Sequence, residues 1–326
     1  MLLSVNRLTL SFGPLVVAIV MACTPSVQAA TLISHYKFDG DTLNAVVGAP
    51  DATRLAGGDS TFDTGQDGTA NGAVVFDGNS DNVLSSGMAG QPNSSAGLLN
   101  GSASLWFKGP SEVNGVTVNP NLDPTSGGGQ NGSPVAFLGT FNDGSNTLLQ
   151  LAGDYAANSS AQNRLLHGYR AEDPDPMDTA NDTIVNNYGN LGDDQRWNDD
   201  QWHHIAFTWS ITVGAVTSTM YLDGVMTDDG PVTSTLSALQ QLAGSDYTDV
   251  AAWQYDMLIG GASNRGTTFK QLVGLMDDLR IYDGELTQGE VRELAGVPEP
   301  SSLLMVGMIA GGGLAMRRRP SSSRVS

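Results

Sequence analysis

Gly274-Leu275-Met276-Asp277-Asp278-Leu279-Arg280-Ile281-Tyr282 is the stretch on which the fold is decided. Leu275, Leu279 and Ile281 recur at two-residue intervals or multiples of them, the period of a β-strand, whose successive side chains point to opposite faces. Asp277 falls in the same register, so strict alternation puts a carboxylate on the apolar face. A buried carboxylate is costly unless it is paired or bound to a cation. Two arrangements would satisfy it: hydrogen bonds from the backbone or from His203 or His204, or a bound metal ion. Behind the stretch, Asp283-Gly284 marks a turn, and Thr287 with Glu290 fits a capping box ahead of Val291 to Leu294.

Working outward, the same pattern of short apolar runs between Asp, Asn and Gly turns fills the chain. Asp39-Gly40-Asp41, Asp77-Gly78-Asn79, Asn142-Asp143-Gly144 and Asp223-Gly224 are such turns. Between them the expected strands are Leu32–Phe38, Ala73–Phe76, Ala103–Lys108, Pro134–Gly139, Thr147–Leu151, Arg164–Tyr169, Trp202–Trp209, Thr217–Leu222, Met257–Ile259 and Leu272–Tyr282. This spacing predicts an all-β sandwich or barrel. Gly109–Gly132 and Ala171–Asp200 read as long surface loops. Apart from Thr287–Leu294, only Ser237 with Gln240 suggests a helix start.

Six segments then occur in a telling order. They are His35-Tyr36-Lys37-Phe38-Asp39-Gly40, Ala73-Val74-Val75-Phe76-Asp77-Gly78, Ala103-Ser104-Leu105-Trp106-Phe107-Lys108, Trp202-His203-His204-Ile205-Ala206, Tyr221-Leu222-Asp223-Gly224, and the stretch quoted at the outset. The series resembles the laminin-G-like domains of the concanavalin A-like lectin/glucanase superfamily over nearly all of Thr31 to Ala295. The resemblance implies a jelly-roll sandwich of two antiparallel sheets, which the strands and turns also indicate. It further implies calcium held by carboxylates at edges and loops, with Asp39 and Asp277 as the candidate ligands, since Asp/Asn/Gly turns supply the six to eight oxygens the ion takes.

His203 and His204 are neighbours on a strand and point to opposite faces, so they do not grip one metal together; a structural role for each ring is expected. The loop carboxylates Asp173, Asp175, Asp178, Asp193, Asp194, Asp199 and Asp200 read as solvated. Glucanases of the jelly-roll type carry Glu-x-Asp-x-x-Glu on one strand, and that pattern is missing. Glu290 and Glu293 fall on the short helix, and Glu112 and Glu172 stand alone in loops. No enzyme is expected. Sugar binding would use exposed aromatics, with Trp197, Tyr188, Tyr155, Tyr169, Trp253 and Tyr255 as platforms, and Trp106, Trp202 and Trp209 in the core.

The two ends of the chain speak to location. Arg7, the apolar run Leu8 to Ala22 and the small-residue site Val27-Gln28-Ala29 predict a signal peptide over residues 1–29. The alternative is a lipobox at Val20-Met21-Ala22-Cys23, to which Met21 is poorly suited. At the far end, Val297-Pro298-Glu299-Pro300 is followed by an apolar segment of about 301–316 and by Arg317-Arg318-Arg319. The span reaches only about 25 Å as a helix, against a hydrocarbon core of roughly 30 Å, and the arginines mark its cytoplasmic side. Residues 297–326 resemble the PEP-CTERM sorting tail of Gram-negative envelope proteins, which implies an exosortase as partner, passage through the cytoplasmic membrane and, after the tail is held and cut, a place in the envelope or extracellular matrix; the alternative is a simple C-terminal anchor that is never processed.

Between these ends, residues 30–296 form one expected domain without cysteine, since Cys23 is the only one. Setting the ends aside leaves ten basic against thirty-three acidic residues, a net charge of −23. Such a surface repels nucleic acid and anionic lipid and attracts divalent cations. Polysaccharide or a surface glycan is the partner the two resemblances imply. A purely structural matrix protein is the first alternative, and a divergent glycan hydrolase the second.

Overall fold

The strand Val273–Asp283 sits inside a sheet, and its neighbours are far away in sequence. Asn100–Lys108 pairs along one side of it; Ala73–Asp77 and Thr31–Tyr36 pair with successive halves of the other. This computed structural model describes residues 30–88, 100–110, 112–113, 116–117, 135–142, 149–155, 163–171, 183–191, 196–212, 215–235, 257–264, 267–269 and 271–297. The predicted signal peptide, Pro298, Glu299, Pro300, the apolar segment, Arg317 to Arg319 and the Ser237 helix start lie outside them.

The front sheet runs Val225–Met226, Ala215–Leu222, His203–Thr212, Asn100–Lys108, Val273–Asp283, Ala73–Asp77, Phe62–Asp63, with Val232–Thr235 also on Ala215–Leu222. The back sheet runs Thr183–Asn190, Asn163–Ala171, Leu149–Tyr155, Val135–Asn142, Met257–Ile259, Leu84–Ser85, Thr53–Arg54. Among the described residues, pairing is antiparallel except where Ser263 and Asn264 meet Phe141 and Asn142. All ten expected strands are present, with ends displaced by a few residues. The expected loop Ala171–Asp200 contains a further strand, Thr183–Asn190. Asn and Gly within it disfavour strand by propensity. Tertiary bonding overrides that: buried Asn187 donates to Val216 O at 3.1 Å and Ser218 Oγ at 2.8 Å in the facing sheet, and accepts from Ser234 Oγ at 2.6 Å.

Between the sheets lie Leu105, Phe107, Ile205, Phe207, Trp209, Met276, Leu279 and Ile281 from the front, and Phe137, Leu151, Leu165, Met257 and Ile259 from the back. Phe137 joins the layers, with ring centroids 5.1 Å from Phe107, 5.6 Å from Trp197 and 6.4 Å from Phe207. The front sheet is also covered on its other face. Ala206, Tyr221 and Tyr282 pack there with Leu286 and Val291, beneath the helix Gln288–Leu294. Seven residues are too few for an isolated helix. The capping box holds its first turn, as predicted: the Thr287 side chain accepts the Glu290 N–H and Glu290 Oε2 accepts the Thr287 N–H at 2.7 Å.

Trp197, expected as an exposed platform, is 1% exposed and belongs to the core. Its flanks are polar, but its ring packs against Phe107 and Phe137. Trp197→Ala is therefore expected to destabilise the domain by about 3–5 kcal/mol, as loss of a buried aromatic does. Denaturant unfolding measures this, and a change under about 1 kcal/mol would remove Trp197 from the core account.

Candidate functional site

Asp277 does not face the core. Met276 is fully buried in it, and so are Leu279 and Ile281. A register shift between Asp277 and Arg280 against the strand Asn100–Lys108 reconciles these positions. Asp278 lies in the shift with φ +50°. The predicted alternation of Leu275, Asp277, Leu279 and Ile281 on one face is thus broken by a bulge, and Asp277 stands on the outer face beside its register partner Trp106.

The loop Gly65–Gly72 closes over that carboxylate. The Gln66 N–H donates to Asp277 Oδ2 at 2.8 Å. A Cβ at position 65 would lie 2.8 Å from the same oxygen and 3.0 Å from the Gly72 backbone, so only glycine fits there. Asp277 is 6% exposed. Desolvation raises its pKa to about 6, helped by the charges of Asp278 and Asp67 and opposed by backbone N–H groups of Gln66 and Asp278. Asp278 itself is paired: His35 Nε2 lies 2.6 Å from Oδ1 and Arg280 Nη2 lies 2.9 Å from Oδ2. These two partners pin the bulge from both strands.

Asp39 is exposed at the turn where the Gly40 N–H donates to Phe38 O at 2.8 Å. Phe38 has φ +60° and a fully buried side chain, a costly conformation for a bulky residue. Gly40 packs against Asn71 of the Gly65–Gly72 loop. Asp39 is thus next in sequence to a residue that neighbours the loop over Asp277. Among the described residues no three His, Cys, Asp or Glu side chains gather as a metal cluster.

His203 and His204 take opposite faces, as expected. His204 is 1% exposed, meets the Trp106 ring edge at 5.4 Å, and has no partner at Nδ1; desolvation depresses it to about 4. His203 Nδ1 and Nε2 face Asp223 and Asp199. Sequence reasoning missed His167, which lies between the sheets, stacks on Trp209 and bonds Ser218; burial pushes it to about 3, so it is neutral. Its alternation with Leu165 marks the inward face, but nothing local signals the Ser218 partner.

Residues 77–292 match the laminin-G-type family described as the concanavalin A-like lectin/glucanases superfamily. The chain belongs to this family. Among solved structures, this superfamily member is similar to domain 4 of AbnA, a GH43 extracellular arabinanase from Geobacillus stearothermophilus, in complex with arabinotriose, with 20% identity and TM-score 0.47 over 82% of this chain and 100% of that one. It is similar to the receptor binding domain of botulinum neurotoxin type G, with 15% identity and TM-score 0.47 over 82% of this chain and 51% of that one. It is also similar to the CBM40 of the Ruminococcus gnavus IT-sialidase, with 11% identity and TM-score 0.37 over 65% of this chain and 92% of that one. No curated protein matches the chain.

The aromatics of this superfamily member sort as follows. Trp209 is core, as expected. Trp106, expected in the core, is partly exposed on the outer face between His204 and Asp277, because odd and even positions of its strand divide between core and outer face. Trp202, also expected in the core, is likewise partly exposed, just before the strand His203–Thr212 begins. Tyr188 has the Arg164 guanidinium 4.3 Å above its ring, so one face is covered. Trp253, Tyr255, Asp173, Asp175, Asp178, Asp193, Asp194 and Glu172 lie outside the described residues, as do the side chains of Tyr155, Tyr169 and Glu112.

The raised Asp277 value has a definite sign. The folded chain holds this proton more tightly than the unfolded one, so the stability it contributes is full below about pH 4 and lost as pH rises through about 6. His167 and His204 act oppositely, their contribution being present above 6.5 and lost on acidification toward 4 and 3. In chelator, Asp277→Asn is expected to gain in melting temperature relative to wild type as pH rises from 4 to 7. A difference independent of pH would show that Asp277 is not the group responsible.

Proposed function

We propose that the protein is a non-catalytic carbohydrate-binding or adhesion module, exported and sorted to the envelope through its C-terminal tail. The observation that carries the binding reading is membership of a lectin and glucanase superfamily across residues 77–292. Its non-catalytic character is supported by the sequence, which lacks Glu-x-Asp-x-x-Glu, and by Glu290, which is committed to the helix cap. The sorting reading rests on Pro298-Glu299-Pro300 and Arg317-Arg318-Arg319, with exosortase as the partner that recognises them.

Calcium at Asp39 and Asp277 is part of the proposal. A desolvated carboxylate whose proton is held up to about pH 6 gains from a cation that replaces the missing water. Trp106 stands beside Asp277 and is partly exposed. An apolar ring face next to an oxygen-rich cation site is the combination with which lectin sites hold a sugar.

A glycan array run with calcium and with chelator tests the reading. Binding with calcium is expected, with reduced binding in chelator and in Trp106→Ala. No binding in either condition would sink the lectin reading in favour of a structural matrix role, and reducing-sugar release from matrix polysaccharide would revive the enzyme. Calcium is further expected to raise the melting temperature of wild type and not of Asp277→Asn, because a ligand that binds only the folded state stabilises it. Equal shifts in both proteins would place the ion elsewhere.

A further inference from the structure

His203 opens the strand His203–Thr212 with a carboxylate 2.9 Å from each ring nitrogen: Asp223 Oδ2 at Nδ1 and Asp199 Oδ1 at Nε2. A neutral imidazole carries one N–H and one lone pair, so it can donate to only one of them. Imidazolium donates from both nitrogens and satisfies both. The ring is 14% exposed, against 41% and 49% for the two carboxylates. Burial alone would pull the ring below its ordinary 6.5, and the bonds and charges of Asp223 and Asp199 outweigh it and raise the value.

Three parts of the chain meet at this ring. Asp199 belongs to Arg196–Asp200, which is fixed by Trp197 in the core and by the Asp200 N–H, donating to Gly109 O at 2.9 Å. Asp223 is doubly tied to the strand: its Oδ1 accepts the His204 N–H at 2.9 Å and its own N–H donates to His204 O at 2.7 Å. Gly224, next in the turn, packs against the C-terminal helix, where a Cβ would come within 3.2 Å of Arg292 Cα and Ala295 Cβ. Asp200 and Asp223 both have positive φ, +63° and +51°. The charged groups facing the ring are Asp199 from the preceding segment and Asp223 from the turn. The neighbouring strand meets it at Phe107, with Lys108 next in sequence, and the helix brings Arg292 against Gly224.

We propose that Asp199, His203 and Asp223 form a proton-operated latch that fastens the Arg196–Asp200 segment to the Asp223–Gly224 turn beneath the C-terminal helix. Protonated, the ring holds both carboxylates. When the proton leaves, one nitrogen turns a lone pair toward a carboxylate, and that contact repels. Asp223 stays because His204 holds it on both sides, so the Asp199 segment loosens. The folded value is raised, so the latch contributes fully below pH 6.5 and is lost as pH rises through that higher value. None of this depends on what the domain binds.

The test is histidine-ring NMR on the full chain across pH, with amide hydrogen exchange read at Asp199–Gln201 and Asp223–Val225. Four histidines are present, and His203→Gln assigns the ring by loss of its signal. The wild-type ring is expected to titrate above 6.5. Exchange at Asp199–Gln201 should step up at that same pH, beyond the rise seen across the rest of the chain, while Asp223–Val225, held by His204, follows that general rise. Asp199→Asn, at an exposed carboxylate, should shift the ring value downward and abolish the step without removing the ring. A ring titrating at or below 6.5, or an undiminished step in Asp199→Asn, would overturn the latch.

Discussion

A β-strand alternates, yet the last strand of this domain places Met276, Leu279 and Ile281 in a single core. Positions 276 and 279 differ by three, so in a regular strand they would point to opposite faces. The register shift between Asp277 and Arg280 removes the conflict by giving this strand one residue more than its partner. Upstream of the shift, Met276 lies in register with Phe107; downstream, Tyr282 turns outward to meet Leu286 and Val291. The shift also delivers Asp277 to the outer face beside Trp106 and leaves Asp278 for His35 and Arg280. Packing, helix docking and the candidate cation site all follow from one extra residue.

The front sheet carries a second constraint, because it is covered on both faces where the helix lies. A sheet with one wet face shows clean alternation; one buried on both sides does not. Ala215–Leu222 shows the second behaviour in its latter half, where five consecutive residues are buried. The polar inner layer formed by His167, Asn187, Ser218 and Ser234 lies where the edges of the two sheets approach each other. Every member but the His167 Nε2 atom finds a partner there, which keeps a polar interior tolerable.

Most of the strand positions were legible because Asp-Gly turns punctuate the chain and the runs between them are apolar. The Thr287 and Glu290 cap and the opposite faces of His203 and His204 were legible for the same reason: each depends on residues near in sequence. What stayed hidden depends on distant ones. The bulge at Asp278 is stabilised by His35, more than two hundred residues away, so no local pattern announces the parity change. Thr183–Asn190 reads as loop because the partners of Asn187 are on other strands. Trp197 sits among charged and amide residues, and only the rings of Phe107 and Phe137 make it core. The loop Gly65–Gly72 was not singled out, since the need for glycine at 65 arises from Asp277 itself.

The pairing of Thr31 with Asp283 has a mechanical meaning. The domain's first and last strands run side by side, and the last one continues through a short link into the helix that precedes residue 297. Tension entering from the tail would meet the helix packing first and then pull lengthwise on Val273–Asp283. That strand has hydrogen-bonded neighbours on both sides, so the ladders would be strained in shear, many bonds at once, rather than opened one by one. Asp277 lies six residues along the same strand from Asp283. A force applied at residue 297 and resisted at Asp277 would therefore run along this one strand.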